Sequence, residues 1–382
     1  MAKSDLSDEY FNRSYKTVAG TDYERKPVCY GLFARKPGRL CGVGDVVQLI
    51  ERCCAGPVTV RGRSDGYEYG SGEVVLTIEG PFGQLVTLET GWLGVLSLSA
   101  AAWNMGRIVE AAGDVQVIDM SARHYPPELI PRIALAAVVG GAGGTSTRAG
   151  HAEVQARYGV GGDKIQIGNE PPREFKLFGS IPHALNALYE GSSIESTAAY
   201  HQRCPEVPLS VLIDFEGRER DICSQAVSRF GRELHAVRMD TAANRIHQGG
   251  HEKPTRTLEM RILSRVEDRP TAMAALERYG FGPGVTIELV YAIRDLLDSL
   301  GAKSTRILVS SGFDLEKVRA FRACKAPMDG IGTGSWVDFA VFTSDILRVH
   351  EQGQWVSRCK VGRAEELHEP PDLPTLLQKT VD

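Results

Sequence analysis

From Val115 onward the chain repeats one local pattern: a short run of β-branched and apolar residues, a turn, then a stretch whose apolar residues fall at helical spacing. The runs Val115 to Met120, Lys176 to Phe178, Leu209 to Ile213, Ala236 to Met239, Arg306 to Ser310 and Gly330 to Gly332 read as strands. Between them, Pro131 to Val139, Arg218 to Phe230, Val285 to Leu300 and Leu315 to Cys324 read as helices. Strands joined by helical crossovers run parallel and have both faces covered, so the expected class is α/β, with a parallel barrel or a doubly wound sheet. In either arrangement, chemistry belongs where strands end and loops begin.

The flanks read differently. Val28 to Leu98 is dense in Gly and β-branched residues, with strand-like runs at Val58 to Arg61, Val74 to Ile78 and Leu85 to Leu88, and Leu93 to Ala112 has helical spacing. Asp345 to Lys360 reads as two strands around Gln352-Gly353 that rejoin the first unit, and the Pro-rich stretch Glu369 to Leu376 as a surface tail. The expected division is a sheet-rich unit with a connecting helix over 1–114, a barrel unit over 115–336, and a returning segment over 337–382. With 382 residues, 42% of them hydrophobic, the chain can bury a core in each unit.

Charge excludes one large class of partner. Against 48 acidic residues stand 44 basic ones, a formal charge of −4, unlike the basic footprint of a nucleic-acid binder. An anionic ligand would therefore need a local basic site. The eight cysteines show no CxxC pair, which fits reduced thiols better than disulfides or zinc. Met1 to Asp5 is charged and lacks an apolar leader-like run, and no apolar run approaches membrane-spanning length, so the expected setting is cytoplasmic, without a membrane partner.

Four strand ends carry residues suited to chemistry. Ser310-Ser311-Gly312-Phe313 and Gly330-Ile331-Gly332-Thr333-Gly334-Ser335 lie about twenty residues apart with a helix between them. On adjacent strands, two such loops can aim backbone N–H groups at one phosphate, and glycine permits close approach; tight turns alone would also use these glycines. In Val237-Arg238-Met239-Asp240, strand alternation sends Arg238 and Asp240 to one side. Together they suit a phosphorylated sugar, with Asp240 able to hold Mg2+ through water; the other reading is a structural ion pair. Asp214 closes another strand, as a site carboxylate or a helix N-cap. Gly179-Ser180-Ile181-Pro182-His183 places an imidazole at a helix start, for acid–base or nucleophilic work or for a structural contact. Asp119-Met120-Ser121-Ala122-Arg123-His124 and Gly144-Thr145-Ser146 bring a cation, hydroxyls and backbone donors without an added acid. That set suits a carboxylate ligand better than an amide, whose NH₂ needs an acceptor; otherwise it is a flexible loop with an exposed arginine.

Taken in order, Asp8-Glu9-Tyr10-Phe11-Asn12-Arg13, Glu89 with Leu93-Gly94-Val95-Leu96-Ser97, Ala122-Arg123-His124, Gly144-Thr145-Ser146, Gly179 to Leu185, Val237 to Asp240, Ser311-Gly312-Phe313 and Gly332 to Ser335 resemble the nicotinate phosphoribosyltransferase family. That family is grouped with the nicotinamide and quinolinate enzymes as type II phosphoribosyltransferases. The resemblance implies an irregular α/β barrel beside a sheet-rich α/β sandwich built from both chain ends, assembled as a homodimer or higher oligomer with sites at the interface. It implies nicotinate, phosphoribosyl pyrophosphate and ATP as small-molecule substrates, with Mg2+. Tyr10 would reach the pyridine ring from a neighbouring subunit and Met120 would border it, while Arg123 and Ser146 would receive the carboxylate beside the Thr145 hydroxyl read above. Arg238 and Asp240 would hold the phosphoribosyl diphosphate; independently of the resemblance, a cation-like reacting carbon calls for neighbouring carboxylates, for which Asp214 and Asp240 are the candidates. Ser311, Gly312, Gly332, Thr333, Gly334 and Ser335 would hold the 5′-phosphate, and His183 would accept a phosphoryl group from ATP. Two positions depart from the family: His124 stands where a second arginine is common, and Met120 where many members have an aromatic. The alternatives are a quinolinate or nicotinamide phosphoribosyltransferase, or a non-catalytic nucleotide-binding relative.

Overall fold

The computed structural model describes residues 6–380; the charged start at Met1 to Asp5 lies outside them. Seven parallel strands form the larger sheet, in the order Lys176–Leu177, Gly144–Thr145, Gln116–Asp119, Gly330–Thr333, Arg306–Val309, Ala236–Met239, Ser210–Leu212. Read from Gln116–Asp119, this is chain order wrapped on itself, with the last strand paired to the first through Gly330↔Gln116 and Ile331↔Val117. A parallel sheet whose end joins its beginning must curl, so the result is an α/β barrel, irregular because its seam falls between the strands 176–177 and 210–212. The helices Ile130–Val139, Glu219–Phe230, Ile287–Ser299 and Leu315–Ala323 are among those that cover it, as their apolar spacing requires.

The second sheet is antiparallel and draws on both flanks, in the order Gln354–Ser357, Phe342–Glu351, Pro27–Ala34, Val74–Pro81, Val58–Gly62, Thr375–Lys379. Its core includes Leu32, Val60, Leu76, Ile78 and Trp92, each at 1% exposure or less. Burying each of these side chains contributes roughly 1.5–3 kcal/mol. The helix Val43–Cys53 sends Val46 and Ile50 into the same core. The fold is thus an α/β barrel joined to a sheet-rich α/β sandwich.

Several local expectations fail for physical reasons. Leu85 to Leu88 is helical rather than extended, because after Pro81 the chain turns directly into the helices that follow. A four-residue apolar run carries too few periods to separate the two states. The Pro-rich end is no free tail: Thr375–Lys379 pairs antiparallel with Val58–Gly62, and Lys379 Nζ donates to the carbonyls of Glu51 and Cys54 at 3.2 and 2.7 Å. The helical stretch Phe82–Ala112 is long and apolar enough to cross a membrane by length and composition, against the expectation of none. Half of its apolar window is buried within the fold, the pattern of a core helix. Cys29, Cys41, Cys204, Cys223, Cys324 and Cys359 are free thiols.

Candidate active site

The carboxyl ends of the barrel strands open into two adjoining depressions of about 210 and 490 Å³ that share Met120, Arg123 and Asp240. The smaller is lined further by His124, Ser310, Ser311, Gly312, Gly332, Gly334 and Ser335. The larger is lined by Ser146, Ser180, His183 and Arg238 among others. The barrel thus brings together strand ends that lie far apart in the chain, because every parallel strand delivers its C-terminal end to the same mouth.

Arg238 and Asp240 do share a face. Arg238 Nη1 donates to Ser180 Oγ at 2.7 Å and Nη2 to Asp240 Oδ2 at 3.4 Å, while Ser310 Oγ donates to Asp240 Oδ1 at 3.0 Å. Arg238 Nε is buried and has no hydrogen-bond partner. A guanidinium oriented by two neighbours and retaining donor capacity is a fixed cation for a phosphate or diphosphate.

His183 begins the helix His183–Leu188, with Pro182 at its N-cap position. Its Nε2 lies 3.1 Å from Asp214 Oδ2, so Nε2 donates and the lone pair of the neutral ring sits on Nδ1. This hydrogen bond raises the pKa of His183 above its ordinary value; burial opposes the rise, the Asp240 charge adds to it and Arg238 reduces it. The stability contributed by the pair is therefore complete below the unfolded pKa and lost as pH rises through the raised folded one. Replacing Asp214 by Asn should return the His183 titration, followed by ring-proton NMR, toward its ordinary range; an unmoved titration would refute the pairing.

Asp214 is 7% exposed, its Oδ1 has no partner, and it caps no helix, since the next helix starts at Glu219 behind Arg218. Arg245 holds it from below. That guanidinium pairs with the fully buried Glu219 and donates to the Asp214 carbonyl at 3.3 Å. Ser180, Ser310, Glu219 and Arg245 are absent from the sequence-based set of site residues. For Ser310 the signal was its place before Ser311-Gly312; for Arg245 and Glu219 the chain offers none.

The phosphate loops face each other. Thr333 Oγ1 donates to the Phe313 carbonyl at 2.6 Å, tying one to the other, so the Thr333 hydroxyl is committed inside the fold rather than to the mouth. Thr145 likewise turns inward: it is 1% exposed and donates to Asp119 Oδ2 at 2.9 Å. Both hydroxyls hold loops in place; for Thr145 this corrects the ligand-facing hydroxyl expected of it, whereas Ser146 does line the larger depression. At Gly332 a Cβ would come 2.4 Å from Met120 Sδ, so only glycine lets Met120 lie across that strand. His124 Nδ1 is 3.2 Å from the Gly334 carbonyl, which requires the proton on Nδ1. Tyr10 lies outside both depressions, 61% exposed on the helix Glu9–Val18, beside Phe11.

Among the described residues no group of three or more His, Cys, Asp or Glu could hold a metal ion. The mouth instead offers Asp240, on the wall of both depressions; Asp214, with a buried unpartnered oxygen, pairs with His183 and lines neither. One or two carboxylates are what Mg2+ takes when phosphate oxygens and water complete its octahedron.

Residues 8–99 match the family model of the quinolinate phosphoribosyl transferase N-terminal domain. Over 368 aligned positions, covering 86% of this chain and 68% of the relative, the sequence is 27% identical to a nicotinate phosphoribosyltransferase of Mycobacterium tuberculosis. Among solved structures, nicotinate-nucleotide pyrophosphorylase of Pyrococcus furiosus superposes with a TM-score of 0.70 at 24% identity, over 93% of this chain and 77% of that one. Human nicotinic acid phosphoribosyltransferase superposes with a TM-score of 0.56 at 14% identity, over 91% and 76%.

Proposed function

We propose that this chain, which belongs to the type II phosphoribosyltransferase family, joins nicotinate to phosphoribosyl pyrophosphate, yielding nicotinate mononucleotide and pyrophosphate for NAD synthesis. The observation that carries the reading is the meeting, at one barrel mouth, of the Arg238–Asp240–Ser310 cluster, the His183–Asp214 pair and the two glycine loops.

In this reading the pyridine nitrogen attacks the sugar C1, the bond from C1 to the pyrophosphate oxygen breaks, and pyrophosphate leaves with the electron pair. Positive charge develops at C1, which Asp214 and Asp240 stabilise from fixed positions. Arg238 receives the growing negative charge of the leaving group without reorganising, because Ser180 and Asp240 already orient it. The loops at 311–313 and 332–335 hold the 5′-phosphate through backbone N–H groups. Arg123 and Ser146 receive the ring carboxylate, with Met120 against the ring. Asp240 would hold Mg2+ through water, and the ion would there supply charge neutralisation to the diphosphate. Tyr10 serves the mouth of a second subunit in a homodimer or higher homo-oligomer, since its exposed position on this chain serves none here.

The test is product analysis: with phosphoribosyl pyrophosphate and nicotinate, nicotinamide or quinolinate offered separately, nicotinate mononucleotide should form fastest from nicotinate. Release of CO₂ with nucleotide formed from quinolinate would move the assignment to the decarboxylating relative, and binding of pyridines without any turnover would make the chain a non-catalytic member.

ATP coupling through His183 is the finer part of the proposal. Nδ1 carries the lone pair, and the Asp214 bond stabilises the positive ring that phosphorylation creates. His183→Ala should abolish ATP stimulation and ADP release while leaving ATP-independent nucleotide formation. Undiminished ADP release in that variant, measured under single turnover, would overturn the role.

A further inference from the structure

We propose that Lys317 is a positioning residue that holds the phosphate loop 311–313 in its ligand-receiving form from the side opposite the ligand; this rests on the phosphate reading of that loop given above. Ser311 has φ +74°, in the left-handed region that a side chain disfavours, and Gly312 follows at φ +68°. A serine stays there only where its surroundings impose it. The group in place to do so is the Lys317 ammonium, whose Nζ donates to the Ser311 carbonyl at 3.1 Å. With that carbonyl bound inward, the loop turns its other side to the smaller depression, where Ser311 and Gly312 form part of the wall.

An ordinary surface lysine extends its stem and keeps its charge in water. Lys317 does the reverse. Its ammonium sits over the Phe313 ring at 4.5 Å and near the Phe321 ring at 5.8 Å. Burial lowers its pKa to about 8, against the attraction of Asp314. Asp314 caps the same helix, accepting from the Lys317 amide at 2.8 Å, which fixes where the side chain starts. The Phe313 carbonyl is already held by Thr333. The two backbone carbonyls that flank Gly312 are thus each anchored by one side chain, Thr333 from the neighbouring loop and Lys317 from the helix below. Lys317 lines neither depression and so acts through the loop rather than on the ligand.

The experiment measures binding of ribose 5-phosphate by calorimetry, with no pyridine present, in the full chain. Lys317→Met should weaken it about tenfold or more, the value of a charge-assisted hydrogen bond. Lys317→Arg should restore it to within about threefold, and KM for nicotinate should be unchanged in both. Ser311→Gly removes the disfavoured φ, so in that background Lys317→Met should cost less than about threefold. If Lys317→Met does not fold, Lys317→Gln takes its place under the same criteria. Wild-type affinity in the folded variant would overturn the proposal, as would an equal loss in the two Ser311 backgrounds. Failure of the wild-type chain to bind ribose 5-phosphate would overturn the phosphate reading of the loops, and the role of Lys317 with it.

Discussion

Replacing Arg238 by alanine should lower kcat/KM for phosphoribosyl pyrophosphate by about 10²–10³-fold, the scale for one fixed donor aimed at developing charge. Two losses combine. The departing diphosphate loses its cation, and Asp240, 19% exposed at its side chain, keeps Ser310 as its remaining hydrogen-bond donor. Arg238→Lys should recover little, because one ammonium cannot reach Ser180 and Asp240 together and still present donors to a ligand. Steady-state kinetics with each substrate varied would test this. A KM for nicotinate that rises as far as that for the sugar donor, or a lysine variant with near wild-type rates, would show that Arg238 is not the diphosphate cation.

The second large effect concerns the scaffold. Gly144 lies in the two-residue strand Gly144–Thr145, between Gln116–Asp119 and Lys176–Leu177. A Cβ there would fall 2.2 Å from the Lys176 carbonyl oxygen and 2.5 Å from the Phe178 ring. Because the nearest atom is backbone, no rotamer change can relieve the overlap, and the strand 176–177 must move away. Gly144→Ala should therefore cost about 3 kcal/mol, read from denaturant unfolding. It should also reduce activity in the fraction that folds, because the displaced strand leads to Ser180, the partner of Arg238 at 2.7 Å, and on to His183. An unfolding midpoint and rate close to wild type would mean the barrel is looser at that edge than its spacing indicates.

How far the chain could be read depended on the range of the interactions concerned. The helices Ile130–Val139, Glu219–Phe230, Ile287–Ser299 and Leu315–Ala323 were legible because each carries a sustained apolar period. The strand Gly144–Thr145 was not: it is two residues long and looks like a glycine loop, and only its neighbours on both sides make it a strand. Leu85 to Leu88 misled for the same reason in reverse. Within the mouth, Arg238 and Asp240 could be paired from alternation alone, whereas Thr145 looks like a ligand-facing hydroxyl until Asp119 is seen to take it.

By itself, then, the sequence determined the α/β class, the strand ends where chemistry gathers, and the shared face of Arg238 and Asp240, since all three follow from local periodicity. Tertiary structure alone decided that the last barrel strand closes on the first, that the segment 375–379 completes the other sheet, and that His183 meets Asp214 across 31 positions of the chain. It also decided the hold of Lys317 on a strained loop and the burial of Glu219 behind Arg245. These depend on which distant atoms meet, and packing, not spacing along the chain, sets that.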